Sequence, residues 1–171
     1  MHRRSEWALL MLLGLGCAPS GDPRTPTAGR LDIALPDLRG AIVRPVAARE
    51  TDVFVLAFWA TWCQPCQQEL SQMNTTLDPM RARGLQVIAI SIDGPDTTAQ
   101  VAPWVEREGY RFPVLFDRET QVLTRYNPRG DIPYYVVLDA TGKVLDDHQG
   151  YMAGDVDTLA EELDRLLPPP R

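Results

Sequence analysis

Two stretches of the chain are apolar almost without relief, 53–59 (Val-Phe-Val-Leu-Ala-Phe-Trp) and 85–92 (Leu-Gln-Val-Ile-Ala-Ile-Ser-Ile). Runs of β-branched and aromatic residues without regular alternation suit strands covered on both faces, so both are expected near the centre of a sheet. Between them Cys66, Leu70, Met73 and Leu77 recur at spacings of four, three and four. That is the apolar stripe of a helix over 65–77 packed on the sheet. Asp78-Pro79 then interrupts it, because proline disfavours helical geometry in the residue before it, or else Pro79 opens a short second helix capped by Asp78. Gly84 supplies a stop before the second strand. Strand, helix and strand in this order predict a parallel pair joined by a right-handed crossover.

A second helix is predicted over 96–108, kinked or restarted at Pro103, followed by a short strand at 114–116. Strands at 134–138 and 143–149 flank the turn-forming Asp139-Ala140-Thr141-Gly142 and read as an antiparallel hairpin. A closing helix over 155–167 places Val156, Leu159, Leu163, Leu166 and Leu167 on one side and is stopped by Pro168-Pro169-Pro170. The fold class is therefore α/β, a central mixed β-sheet flanked by helices.

The start of the chain follows a different pattern. Met1-His2-Arg3-Arg4 is basic, and 7–16 is an unbroken apolar or glycine run with no polar face. This suits a secretory signal over 1–17 better than a core helix, and it is too short to span a bilayer, which takes about 20 apolar residues. Leu15-Gly16-Cys17 is similar to a bacterial lipoprotein processing site, with Cys17 as the acylated residue, although Gly14 stands where leucine is usual. Arg3-Arg4 resembles a twin-arginine signal, but Glu6 occupies a place normally apolar. From 18 to 30, three prolines and no large apolar side chain make a tether. One domain is expected over 31–167, with 168–171 as a tail. The formal net charge of −6, with no basic cluster, argues against nucleic acid as a partner.

Three cysteines are present, and with Cys17 assigned to the signal only Cys63 and Cys66 remain for the folded domain. The pair in Trp62-Cys63-Gln64-Pro65-Cys66 follows a buried strand and opens a helix, which is what reversible disulfide chemistry needs. The spacing puts both sulfurs in one turn, and the unpaired N–H groups of the helix start stabilise a thiolate. Cys63 is expected to be the exposed nucleophile and Cys66 the less accessible resolving thiol. Zinc is the weaker alternative, since only Cys17, His2 and His148 could complete a tetrahedral set of ligands. A static disulfide closing so small a loop adds little stability. No metal and no cofactor is expected.

The segment Phe58-Trp59-Ala60-Thr61-Trp62-Cys63-Gln64-Pro65-Cys66-Gln67-Gln68-Glu69 resembles the active-site segment of the TlpA/ResA-like proteins of thioredoxin fold. A second marker, Gly130-Asp131-Ile132-Pro133-Tyr134-Tyr135-Val136-Val137-Leu138-Asp139 followed by Gly142, is similar to the family's cis-proline strand and hairpin. The resemblance covers 31–167 and implies a thioredoxin-like fold with an N-terminal β extension and an inserted helix–strand unit. It also implies a cis Ile132-Pro133 bond facing the cysteines, against the alternative of a trans proline that simply starts a strand. Trp62, Gln64, Pro65, Ile132 and Pro133 become the candidate substrate-binding residues. Glu69 is implied to tune the cysteines, since Ala57 stands where thioredoxin itself has an aspartate; the alternative is a solvated glutamate favoured by the helix dipole. Tyr134, where relatives commonly have threonine, is a departure that bears on substrate shape.

The implied activity is thiol-disulfide exchange outside the cytoplasm by a membrane-tethered protein. It would reduce disulfides of exported proteins, with cytochrome c maturation as one setting and a membrane thiol carrier as electron donor. Gln64-Pro65 between the cysteines, free of charge and histidine, favours a reductant. Two alternatives remain. Phe112-Pro113-Val114-Leu115-Phe116-Asp117 is similar to a peroxiredoxin segment and allows a peroxidase, and a copper-delivery module of the same fold would use the cysteines with His148.

Overall fold

The computed structural model describes residues 31–49 and 52–170, so the expected signal, the acylation site Cys17 and the tether lie outside the described residues. A two-stranded extension, β1 (Leu35–Pro36) and β2 (Ile42–Val43), precedes β3 (Val53–Trp59). There follow α1 (Gln64–Thr76), a 3-10 helix (Asp78–Arg83), β4 (Leu85–Ser91), α2 (Thr98–Glu108), β5 (Val114–Phe116) and α3 (Gln121–Tyr126). The hairpin β6 (Tyr134–Asp139) and β7 (Val144–Gln149) and the helix α4 (Asp155–Leu166) complete the chain. The main sheet runs β5-β4-β3-β6-β7.

β3 lies at its centre, parallel to β4 from Val53↔Leu85 to Trp59↔Ser91 and antiparallel to β6 from Val53↔Asp139 to Phe58↔Tyr134. Its side chains divide between two cores. Val53, Val55, Ala57 and Trp59 pack with Leu70 and Met73 of α1, Val101 of α2 and Val156, Leu159 and Leu163 of α4. Phe54, Leu56 and Phe58 pack on the other face with Leu31, Ile33 and Leu35 and with Val122 and Leu123 of α3. Both faces are covered, which is why the strand carries no polar alternation.

Several expectations need correction. α2 continues through Pro103 rather than restarting. The carbonyl that proline leaves without a partner is that of Ala99, which is exposed and open to water. Asp78 lies inside the 3-10 helix and caps nothing, because its carboxylate is engaged by Arg111 at 2.7 Å and Arg81 at 3.4 Å. Leu166 is exposed at the end of α4, and Leu167, just beyond it, takes the inward place. The end of α4 is also held from outside: Arg83 donates to the carbonyls of Pro168 (2.6 Å), Asp164 (3.0 Å) and Leu167 (3.2 Å) and pairs with the Asp164 carboxylate.

Gly84 is confined in two ways. Its φ of +113° is left-handed, and a Cβ there would lie 2.5 Å from Oδ1 of the buried Asp52. α3 is too short to show a periodic stripe. Its start is held by an acceptor just ahead of the helix, the buried Asp117, whose Oδ2 takes the N–H groups of Val122 (2.9 Å) and Leu123 (2.8 Å). Asp117→Ala is expected to lower the unfolding free energy by about 1–3 kcal/mol, since two buried donors lose their acceptor. Urea denaturation of the oxidised protein, compared at constant slope, measures this.

Candidate active site

β3 ends at Trp59, and Ala60, Thr61, Trp62 and Cys63 turn the chain into α1, with the Cys63 N–H on the Ala60 carbonyl at 3.0 Å. Cys63 is the N-cap: its backbone is extended (φ −96°, ψ 94°) and its Sγ accepts the Cys66 N–H at 3.3 Å. Pro65 sits in the first turn, where its missing N–H has no helical partner to lose. Cys63 and Cys66 are joined by a disulfide, with Cα atoms 5.3 Å apart.

Cys66 is 0% exposed and Cys63 only 6%. The order of accessibility follows expectation, but in the disulfide form Cys63 is far more covered than an exposed nucleophile. Trp62 faces outward instead, 62% exposed, and Gln64 and Pro65 beside it are exposed too. The Ile132-Pro133 bond is cis. Pro133 is buried at the head of β6, its carbonyl accepting from Gly150 N–H and Gln149 Nε2, both at 2.8 Å. Ile132 packs against the core cluster that contains both cysteines.

Tyr134 belongs to the opposite core, packed with Phe58 and donating to the Tyr126 carbonyl at 3.3 Å. Its ring therefore faces away from the disulfide and does not shape that surface. Tyr135 instead faces the side of the cysteines.

Glu69 is not the solvated side chain that a position early in a helix permits. It is 1% exposed, and its Oε1 has no hydrogen-bond partner among the described residues. Burial in this apolar setting, reinforced by the negative charge of Asp155, pushes its pKa up to about 8. The same carboxyl, with Asp146, Glu162 and Asp155, adds to the burial that raises the Tyr135 phenol. Asp155, in the first turn of α4, carried no sequence signal for this role, since only the packing of α4 against α1 brings it near Glu69.

His148 does not join the cysteines. Its ring stacks on Tyr135 at 5.3 Å, and its Nε2 lies 3.2 Å from Asp155 Oδ2. Among the described residues no cluster of three or more His, Cys, Asp or Glu side chains is arranged to hold a metal ion. No described helix is long and apolar enough to cross a membrane. A dithiol at a helix start, beside a carboxyl that keeps its proton near neutral pH, is equipped to form and break a disulfide in place.

The chain is similar to known proteins in sequence and in fold. Residues 30–146 match the AhpC/TSA family. The thiol-disulfide oxidoreductase ResA of Geobacillus kaustophilus is 36% identical over 113 residues, 66% of this chain and 63% of that protein, so the match spans less than two thirds of the relative. The ResA of Halalkalibacterium halodurans is 28% identical over 139 residues, 81% of this chain and 75% of its own. Among solved structures, a protein assigned as the thiol:disulfide interchange protein DsbE of Chlorobium tepidum aligns with a TM-score of 0.68 at 29% identity, covering 83% of this chain and 99% of that one. StoA from Bacillus subtilis aligns with a TM-score of 0.59 at 18% identity over 83% of this chain and 98% of its own, a likeness of fold alone. With its central mixed sheet and its cysteine pair at the head of α1, the chain has the thioredoxin-like fold and belongs to the AhpC/TSA family as a TlpA/ResA-like member.

Proposed function

We propose that the protein is a thiol-disulfide oxidoreductase acting outside the cytoplasm, which reduces disulfides of exported proteins through Cys63 and Cys66. The observation that carries this reading is the Cys63–Cys66 disulfide at the N-cap of α1. In the reduced protein the Cys63 thiolate is stabilised by the N–H groups and dipole of the helix start and attacks one sulfur of a substrate disulfide. The other substrate sulfur leaves as a thiolate and takes a proton. Cys66 then attacks Cys63 within the mixed disulfide, which releases the second substrate thiol and leaves the protein oxidised. One electron pair and two protons pass to the substrate in each cycle, and a membrane thiol carrier restores the dithiol.

The resolving step needs Cys66 to lose its proton in a buried place. Glu69, one turn further along the same helix, is the group suited to exchange that proton, because its carboxyl titrates near neutrality rather than far below it. Trp62, Gln64 and Pro65 offer an exposed rim for an extended substrate segment, and Ile132 beside the cis peptide offers a backbone edge for it. The apolar run at 7–16 and Cys17 support export and a lipid tether. Similarity to ResA proteins supports cytochrome c maturation as a setting.

A redox titration is expected to give one reversible two-electron couple, and Cys63→Ser to reduce insulin-disulfide reduction to background. Cys66→Ser is expected to retain the first attack and accumulate a mixed disulfide detectable by mass. Full activity in Cys63→Ser would exclude the proposal.

Glu69 also makes a pH dependence. Its folded pKa, about 8, lies above the ordinary glutamate value of 4.5, so the folded state holds a proton that the unfolded state releases. The stabilisation this gives is complete below pH 4.5 and is lost as pH rises through about 8. Glu69→Gln is expected to flatten that decline, which runs at no more than about 1.4 kcal/mol per pH unit. Denaturant midpoints of both proteins between pH 5 and about 8 measure it, and parallel curves would show that Glu69 does not titrate in this window.

A further inference from the structure

The four-residue turn that delivers Cys63 to α1 has little apolar anchorage of its own. Trp62 points into solvent, and Ala60 offers only a methyl group. The turn is instead gripped at Thr61, and every polar group of that residue is engaged. Its N–H donates to Asp93 Oδ2 at 3.0 Å and its hydroxyl to Asp93 Oδ1 at 2.6 Å. Its carbonyl accepts from Gln67 Nε2 at 2.6 Å.

Asp93 is itself 0% exposed, just past the end of β4. The Ser91 hydroxyl donates to its Oδ2 at 2.9 Å and accepts its backbone N–H at 3.1 Å, and the Thr98 hydroxyl at the start of α2 is shared between the Gly94 carbonyl at 2.6 Å and the Asp93 carbonyl at 3.0 Å. A buried carboxylate is costly unless its oxygens are satisfied. Here two of the three hydrogen bonds that satisfy this one come from a single residue of the active-site turn.

We propose that Asp93 is a positioning residue for the redox pair: through Thr61 it fixes the turn between β3 and α1, and so the place and direction from which Cys63 attacks. This rests on the exchange chemistry proposed above and adds to it a residue from a different strand. Thiol-disulfide exchange requires the attacking sulfur to approach along the axis of the bond it breaks. A backbone held on both sides of Cys63, by Asp93 before it and by the first helical bonds after it, limits the sulfur to few trajectories. The same grip keeps Cys63 at the N-cap after the disulfide opens, when its covalent link to Cys66 no longer does so.

Three variants separate position from charge. Thr61→Val removes the hydroxyl bond and leaves the carboxylate. Asp93→Ala removes both of its bonds to Thr61 and leaves only the Gln67 bond to the Thr61 carbonyl. Asp93→Asn removes the charge, yet its carbonyl oxygen can accept from the Thr61 N–H and Ser91 hydroxyl while its amide donates to the Thr61 hydroxyl. Asp52→Ala, at the opposite end of β3 where a buried carboxylate holds the Ala48 and Arg49 backbone, is the control for general loss of stability. The readouts on the full chain are the rate of Cys63 alkylation by iodoacetamide against pH and the rate of exchange with a small aromatic disulfide.

Thr61→Val and Asp93→Ala are expected to slow exchange about tenfold or more and to move the alkylation midpoint of Cys63 upward, with Asp93→Asn recovering most of the loss. Asp52→Ala is expected to lower the melting temperature and leave both readouts unchanged. Wild-type alkylation profiles and exchange rates in Thr61→Val and Asp93→Ala would overturn the assignment, and Thr61→Val alone decides it if Asp93→Ala does not fold. A wild-type protein without a reversible couple would instead overturn the exchange reading on which this inference rests, so the two failures are distinguishable.

Discussion

Everything at the cysteine site depends on β3 being immobilised on four sides. Hydrogen bonds to β4 and β6 hold its two edges, and the two cores cover its faces, so none of its seven residues reaches solvent appreciably. A strand held in this way has a fixed C-terminal end, and the chain leaving Trp59 has only four residues in which to become a helix. Cys63 is where the extended backbone stops and helical hydrogen bonding begins. Its sulfur thus meets unpaired N–H groups for a geometric reason, and no charged side chain has to be recruited to attract a thiolate.

The surroundings of the pair are otherwise apolar, which gives the few polar groups there unusual weight. Glu69 illustrates the point. On an exposed helix it would be an ordinary carboxylate, but between α1, α4 and β6 it loses its water and feels the charge of Asp155, and both effects favour its neutral form. Asp93 represents the opposite solution. It is equally buried but fully supplied with donors, and it holds structure where Glu69 holds a proton. Two acids on different elements, equally buried, one with its oxygens satisfied and one not, therefore meet the apolar interior in different ways.

The central features were legible in the sequence because each follows from local chemistry. The uninterrupted apolar character of Val53–Trp59 implies burial on both faces wherever the strand lies. The stripe through Cys66, Leu70 and Met73 names the inward face of α1, and the two-residue spacing of the cysteines limits them to one turn. Gly84 and the Asp139–Gly142 turn act through backbone conformations available to few residues, and they ended their elements as expected. α3 escaped notice because its start is made by Asp117, a side chain outside the helix, and its few residues are too short a stretch for periodicity to register.

The sequence by itself thus determined the sheet's central strands, the helix that carries the cysteines and the chemistry that two thiols at that spacing can perform. All of these depend on residues close together along the chain. Tertiary structure alone decided that Cys63 is nearly covered, that Tyr134 turns away from the disulfide while Tyr135 turns toward it, that Glu69 keeps its proton beside Asp155, and that Asp93 grips Thr61. Burial, electrostatic coupling and hydrogen bonds between strands depend on distances in space between residues far apart in the chain, and no local pattern of residue types encodes those distances.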